Sequence, residues 1–168
     1  DHDTRLVGVQ SILFIEDNIH YYSTLLPILY TELLSQSQRL VSEGINLSHK
    51  FLRTVARPKI LFCRTYEEAW NYFEKYREHI LGIISDIDFP REGKPDHGAG
   101  IRFAKAARQE NPELPIMLQS LTSDYEAEAR DLRLSFMPKD SPNPALLLRR
   151  FMTEYFSFGD FVFRTPEG

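Results

Sequence analysis

A single cysteine, Cys63, stands in 168 residues. No disulfide framework can brace such a chain, and a reducing compartment fits it. No apolar run approaches the ~20 residues of a membrane span, and the N-terminus lacks a signal-peptide pattern. The expectation is a cytoplasmic protein with no membrane partner. Positive charge is in deficit: 20 Lys and Arg against 24 Asp and Glu give a formal net charge of −4. That gives no electrostatic case for direct contact with nucleic acid. Internal repeats and low-complexity tracts are missing too. His97 has no second His or Cys nearby, which argues against a zinc site. What is present is an ordinary globular composition, 42% hydrophobic and 26% charged, in one domain long enough to bury a real core.

The stretch Gly82-Ile83-Ile84-Ser85-Asp86-Ile87-Asp88-Phe89-Pro90 organises the rest. Apolar residues run up to a carboxylate, a second carboxylate follows two residues on, and proline stops the run. This reads as a buried strand of a parallel sheet over Ile80–Asp86. Ligands of open α/β sheets bind just beyond the carboxyl ends of the strands, which is where Asp86 lands.

Val9–Ile15 reads as the first strand, ending in Glu16-Asp17-Asn18. Tyr22, Leu26, Leu29 and Leu33 then recur at helical spacing, with Asp17 or Asn18 as N-cap and Pro27 as a kink or the true start. That helix continues toward Gly44. A short helix around Leu47–Val55 is expected next, within a basic stretch of Lys50, Arg53, Arg57 and Lys59. Lys59–Cys63 is the second strand. Thr65 and Glu68 form a capping box for a helix carrying Ala69, Trp70, Tyr72, Phe73 and Tyr76. After a polar loop from Arg91 to Gly100, Ile101, Phe103, Ala104 and Ala107 mark a helix stopped by Asn111-Pro112. Pro115–Gln119, ending at Ser120, is the fourth strand. Ser123 and Glu126 form a second capping box for a short helix to about Arg133, and Leu134–Met137 is the fifth strand. Ser141 or Asn143 caps the last helix, with Pro142 or Pro144 in its first turn and Leu146, Leu147, Phe151 and Tyr155 on its apolar face. Five strands alternating with five helices make a doubly wound parallel sheet.

Acidic, hydroxyl and basic groups stand at four strand ends: Glu16 and Asp17, Asp86, Ser120, and Lys139. Carboxylates crowded together cannot all stay ionised without a cation. A hard, oxygen-loving ion such as Mg²⁺ resolves that and keeps waters for a phosphate to replace. Lys139 and Ser120 supply donors for phosphoryl oxygens, and a carboxylate in that setting can become an acyl phosphate.

These residues resemble the receiver domain of two-component response regulators. Ile12 to Asn18 looks like the family's first strand and acidic pair, and Asp86 to Pro90 looks like its phosphoacceptor segment. Pro115–Ser120 and Phe136–Lys139 look like its fourth and fifth strands. The resemblance spans about residues 9–155, apart from an inserted segment at 35–58. It implies a flavodoxin-like (βα)5 sandwich with strand order 2-1-3-4-5. It also implies that Asp86 accepts phosphoryl and is itself a metal ligand, that Asp17 binds Mg²⁺ directly and Glu16 through water, and that the Asp88 backbone carbonyl completes the metal site. Ser120 and Lys139 would contact the phosphoryl group, with Ser120 and Phe136 as the switch. The implied partners are a histidine kinase or phosphotransfer protein, an output domain of the same chain, and a second copy in a homodimer.

Some positions depart from the family pattern. Leu121 follows the hydroxyl residue where alanine or glycine is usual, narrowing access to Asp86. Asp140 replaces the proline that usually follows the lysine, which puts the family's cis-peptide geometry in doubt. Ser120 and Lys139 are 19 positions apart, so the fourth helix is trimmed. The aromatic run Phe156 to Phe163, within the tail 156–168, reads as an edge strand, a linker that packs back or a docking segment for a next domain. The tail faintly resembles the junction before a phosphoenolpyruvate-synthase-like portion. These departures keep open a receiver-like interaction or dimerisation scaffold that no longer switches. Asp86-x-Asp88 also looks like the first motif of haloacid-dehalogenase-type phosphatases. That motif usually follows the first strand, and the enzyme reading leaves Glu16 and Asp17 without a purpose. The expected protein is not a turnover enzyme.

Overall fold

The structure, a computed structural model, describes residues 10–43 and 58–155, with side chains of 37–43 outside the description. Five parallel strands form one sheet: β1 (Ser11–Ile15), β2 (Lys59–Cys63), β3 (Ile80–Asp86), β4 (Ile116–Ser120) and β5 (Ser135–Pro138). Their order is β2-β1-β3-β4-β5, the doubly wound arrangement expected. Each strand is an apolar run because each is covered on both sides. Successive side chains project to opposite faces, and two cores result. Leu13, Ile15, Ile83, Ile116 and Leu118 pack beneath α2 (Tyr66–Lys75), α3 (Ala99–Glu110) and α4 (Glu126–Asp131). Ile12, Phe14, Ile84, Met117 and Met137 pack beneath α1 (Ile19–Glu43) and α5 (Pro144–Tyr155).

The first helix follows from Asn18, whose side-chain oxygen accepts the His20 N–H at 2.9 Å. Pro27 lies inside α1 and does not set its start. The lost backbone bond is tolerated because Leu25, Leu29 and Leu33 are buried against the sheet. Thr65 caps α2 by accepting the Glu68 N–H at 3.2 Å. The Glu68 carboxylate reaches back to the N–H of Arg64 rather than of Thr65. Asn143 caps α5 through the Leu146 N–H at 3.2 Å, and Pro144 is its first residue.

Several expectations are corrected. The Ser123–Glu126 capping box does not form: Tyr125 occupies the N-cap position of α4 without a side-chain bond, and Ser123 offers Glu126 only its carbonyl. That helix stops at Asp131, and Arg133 turns left-handed at φ 57° before β5. On α5 the buried residues are Leu148, Phe151 and Met152, while Leu146 and Tyr155 are exposed. The stripe is rotated because α5 packs against α1 as well as the sheet: Arg149 holds the buried Glu32 at 3.1 and 3.0 Å. β4 and β5 each begin one residue later than expected. Val9, the 47–55 helix, Lys50, Arg53, Arg57 and the tail lie outside the described residues. The start of the 35–58 segment is a continuation of α1, to Glu43.

Candidate functional site

The strand order brings the ends of β1, β3 and β4 side by side, with β5 beyond. Glu16 follows β1 directly and is fully buried, while Asp17 is half-buried. Asp86 ends β3 and is 6% exposed. One oxygen from each of Glu16, Asp17 and Asp86 falls within 4.8 Å of the others. Lys139 reaches into the cluster, its Nζ 2.6 Å from Glu16 Oε1 and 3.1 Å from Asp86 Oδ2. The other Asp86 oxygen accepts the Ile87 N–H at 2.8 Å. Ser120, at the end of β4, is buried and accepts the Thr122 N–H at 3.2 Å.

Burial and then Glu16 push the Asp86 carboxyl up to about 7, against the opposing pull of Lys139. Burial and then Asp86 raise Asp17 as well. For Lys139, burial opposes the charge, but Asp86 and Glu16 outweigh it and hold the ammonium above its ordinary range. One lysine therefore does not neutralise the three acids. The donor set is all oxygen, crowded and acidic, which fits a hard divalent cation such as Mg²⁺ and does not fit soft metals. Burial also raises Cys63 well above its ordinary range, so its thiol is inert.

The structure thus gathers Glu16, Asp17, Asp86 and Lys139 into one pocket, with Ser120 at the end of the strand next to Asp86. Asp88 is different. Its carboxylate is engaged with the entry to α3, accepting the Gly98 N–H at 2.8 Å with His97 Nδ1 at 3.8 Å. Phe136 is half-buried on the α3–α4 side of β5. It lines a groove of about 600 Å³ with Phe151, Tyr155, Arg130 and Arg133, and none of Glu16, Asp17, Asp86 and Lys139 is among the residues lining it. Leu121 is 59% exposed. The Lys139–Asp140 peptide is trans.

Sequence reasoning missed two contributors. Tyr21 lays its ring over the Lys139 ammonium, 4.2 Å from the centroid, a cation–π contact. It sits one turn into the helix that Asn18 caps, so helical phase alone could have placed it near the acids. Gly100 lets α3 approach the end of β3: its N–H donates to Ile87 O at 2.7 Å, and a Cβ there would lie 2.2 Å from Asp86 O. Its signal was a glycine inside the first turn of a helix.

No protein-family model matches the chain, and no curated protein is similar to it in sequence. Solved structures are. A response regulator receiver domain protein from Clostridium thermocellum is 11% identical, with a TM-score of 0.62, over 92% of this chain and 99% of that one. CheY in a CheX–CheY–BeF3–Mg complex from Borrelia burgdorferi is 16% identical, with a TM-score of 0.57, over 92% and 94%. Response regulator TrrA from Thermotoga maritima, in complex with Mg²⁺–BeF, is 16% identical, with a TM-score of 0.52, over 85% and 99%. The architecture is an α/β doubly wound sandwich of the flavodoxin-like class. More narrowly, it is the CheY-like fold of receiver domains.

Proposed function

We propose that this chain is a phosphoacceptor receiver domain, a signalling module rather than a turnover enzyme. The observation that carries this is the pocket itself: three carboxylates within 4.8 Å of one another at the sheet's carboxyl edge, with a lysine ammonium 3.1 Å from the central one. In this reading Asp17 binds Mg²⁺ directly, Glu16 binds it through water, and the Asp88 backbone carbonyl completes the site. The cation, when bound, offsets carboxylate repulsion and neutralises phosphoryl charge. An ionised Asp86 oxygen attacks the phosphorus of a phosphohistidine or a small acyl phosphate. A P–O bond to Asp86 forms as the donor's P–N or P–O bond breaks, and the leaving group departs with the electron pair. Lys139 and the Ser120 hydroxyl bind oxygens of the transferred group. Ser120 and Phe136 then form the switch, and the groove beside Phe136 is the surface that reports it.

The donor is a histidine kinase or phosphotransfer protein, and the readers are an output domain of the same chain or a second copy. The domain occupies 1–155, with 35–58 inserted in its first connection and 156–168 as the link onward. A switchless scaffold is the competing reading. In its favour, Lys139 already lies 2.6 Å from Glu16, with both side chains buried, which gives the acids an internal counter-charge. Intact mass after incubation with acetyl phosphate and Mg²⁺ separates the two. The receiver reading expects one phosphoryl adduct in the wild type, none in Asp86→Asn, and none in EDTA. No adduct from acetyl phosphate or a kinase, in a protein that binds no Mg²⁺, would favour the scaffold.

A further inference from the structure

β4 lies between β3 and β5. The ammonium that meets Asp86 at 3.1 Å and Glu16 at 2.6 Å therefore comes from the end of β5 across the end of β4. Near that end β4 carries Gln119, whose Cα pairs with Asp86 on one side and with Met137, two residues before Lys139, on the other. Paired residues of a parallel ladder project to the same face, and alternate residues of a strand do likewise. Asp86, Gln119, Met137 and Lys139 thus share one face. Gln119 is 0% exposed, and neither its Nε2 nor its Oε1 has a hydrogen-bond partner.

A buried amide with both ends unpaired is costly, and an apolar side chain of similar size would avoid that cost. Its place beside the one lysine of the pocket suggests a partner in a second arrangement of the same groups. The Lys139 ammonium has three N–H bonds to satisfy. Here Glu16, Asp86 and the Tyr21 ring surround it. Were the acids to hold a cation, Glu16 and Asp86 would serve it as well, and the ammonium would need another acceptor until a phosphoryl oxygen arrives.

We propose that Gln119 Oε1 accepts the Lys139 ammonium in the cation-loaded site, making Gln119 a positioning residue that keeps the ammonium over Asp86. This rests on the cation-binding receiver reading and adds to it a residue whose partner changes with cation occupancy.

The test compares wild type with Gln119→Met, by melting in EDTA and by calorimetric titration with MgCl₂. The expected variant melts no lower than wild type in EDTA, because an unpaired amide has been removed, yet binds Mg²⁺ about fivefold or more weakly. In the wild type, the side-chain amide resonance of Gln119 moves as Mg²⁺ saturates the site. That second measurement decides the matter if the variant does not fold. Equal Mg²⁺ affinity in both proteins overturns the proposal alone, whatever the melting temperatures show. A Gln119 amide unmoved at saturation also overturns it. Wild type that binds no Mg²⁺ brings down the receiver reading as well.

Discussion

At the scale of single residues, the pocket holds more negative charge than one ammonium can answer. Asp86 is pushed up to about 7 by burial and by Glu16, so its ionised form is strained in the cation-free protein. Removing that charge should stabilise the fold: Asp86→Asn in EDTA at pH 8 is expected to gain on the order of 1–3 kcal/mol in urea denaturation. Lys139 works the other way. Its ammonium is buried between two buried carboxylates, and Lys139→Met leaves both uncompensated. That variant should lose about 3 kcal/mol in EDTA and recover much of it when Mg²⁺ is added. If the two substitutions shift the urea midpoint in the same direction, charge balance does not govern the pocket.

At the scale of elements, the site depends on how closely α3 approaches the end of β3. Gly100 permits a contact that leaves no room for a methyl group, since the atoms a Cβ would meet are backbone, Asp86 O at 2.2 Å and Ile87 Cα at 2.8 Å. Gly100→Ala should cost upwards of about 3 kcal/mol in urea denaturation and weaken Mg²⁺ binding. A cost below ~1 kcal/mol would mean that α3 can retreat freely. The strands were legible in sequence because a sheet covered on both faces writes continuous apolar runs ended by polar residues, as in Ile80–Asp86 and Lys59–Cys63. The acids, Ser120 and Lys139 were legible because each directly ends a run. Helix phase was harder to read. Leu146 fits an apolar stripe as well as Leu148 does, and the rotation is set by contacts between α1 and α5, the Glu32–Arg149 pair and the Gln36–Thr153 hydrogen bond among them. Ser123 and Glu126 have capping-box spacing, but α4 begins two residues later than a cap at Ser123 needs, with Tyr125 at the N-cap position. Gln119 was invisible as a site residue because its significance lies in strand order: it matters only once β4 is known to separate β3 from β5.

For the whole molecule, protons and a divalent cation compete for the same carboxylates, so stability should report both. The native Asp86 carboxyl is raised to about 7 from an ordinary value of 3.8, and Asp17 moves in the same direction. Between those limits the folded protein keeps protons that the unfolded chain has released. Stability linked to these groups is therefore present at low pH and declines as pH rises from about 4 to about 7. In EDTA the urea midpoint should be lower at pH 8 than at pH 5. Mg²⁺ reverses the sense, because it binds the ionised cluster of the native state. At a free concentration 100 times its dissociation constant it should add about 2.7 kcal/mol, or ~5–10 °C in melting temperature for a chain of this size. The gain should be larger at pH 8, where no proton has to leave, than at pH 5. A midpoint that rises with pH in EDTA would show that Lys139 already satisfies the acids. A Mg²⁺ gain independent of pH would place the cation away from Asp86.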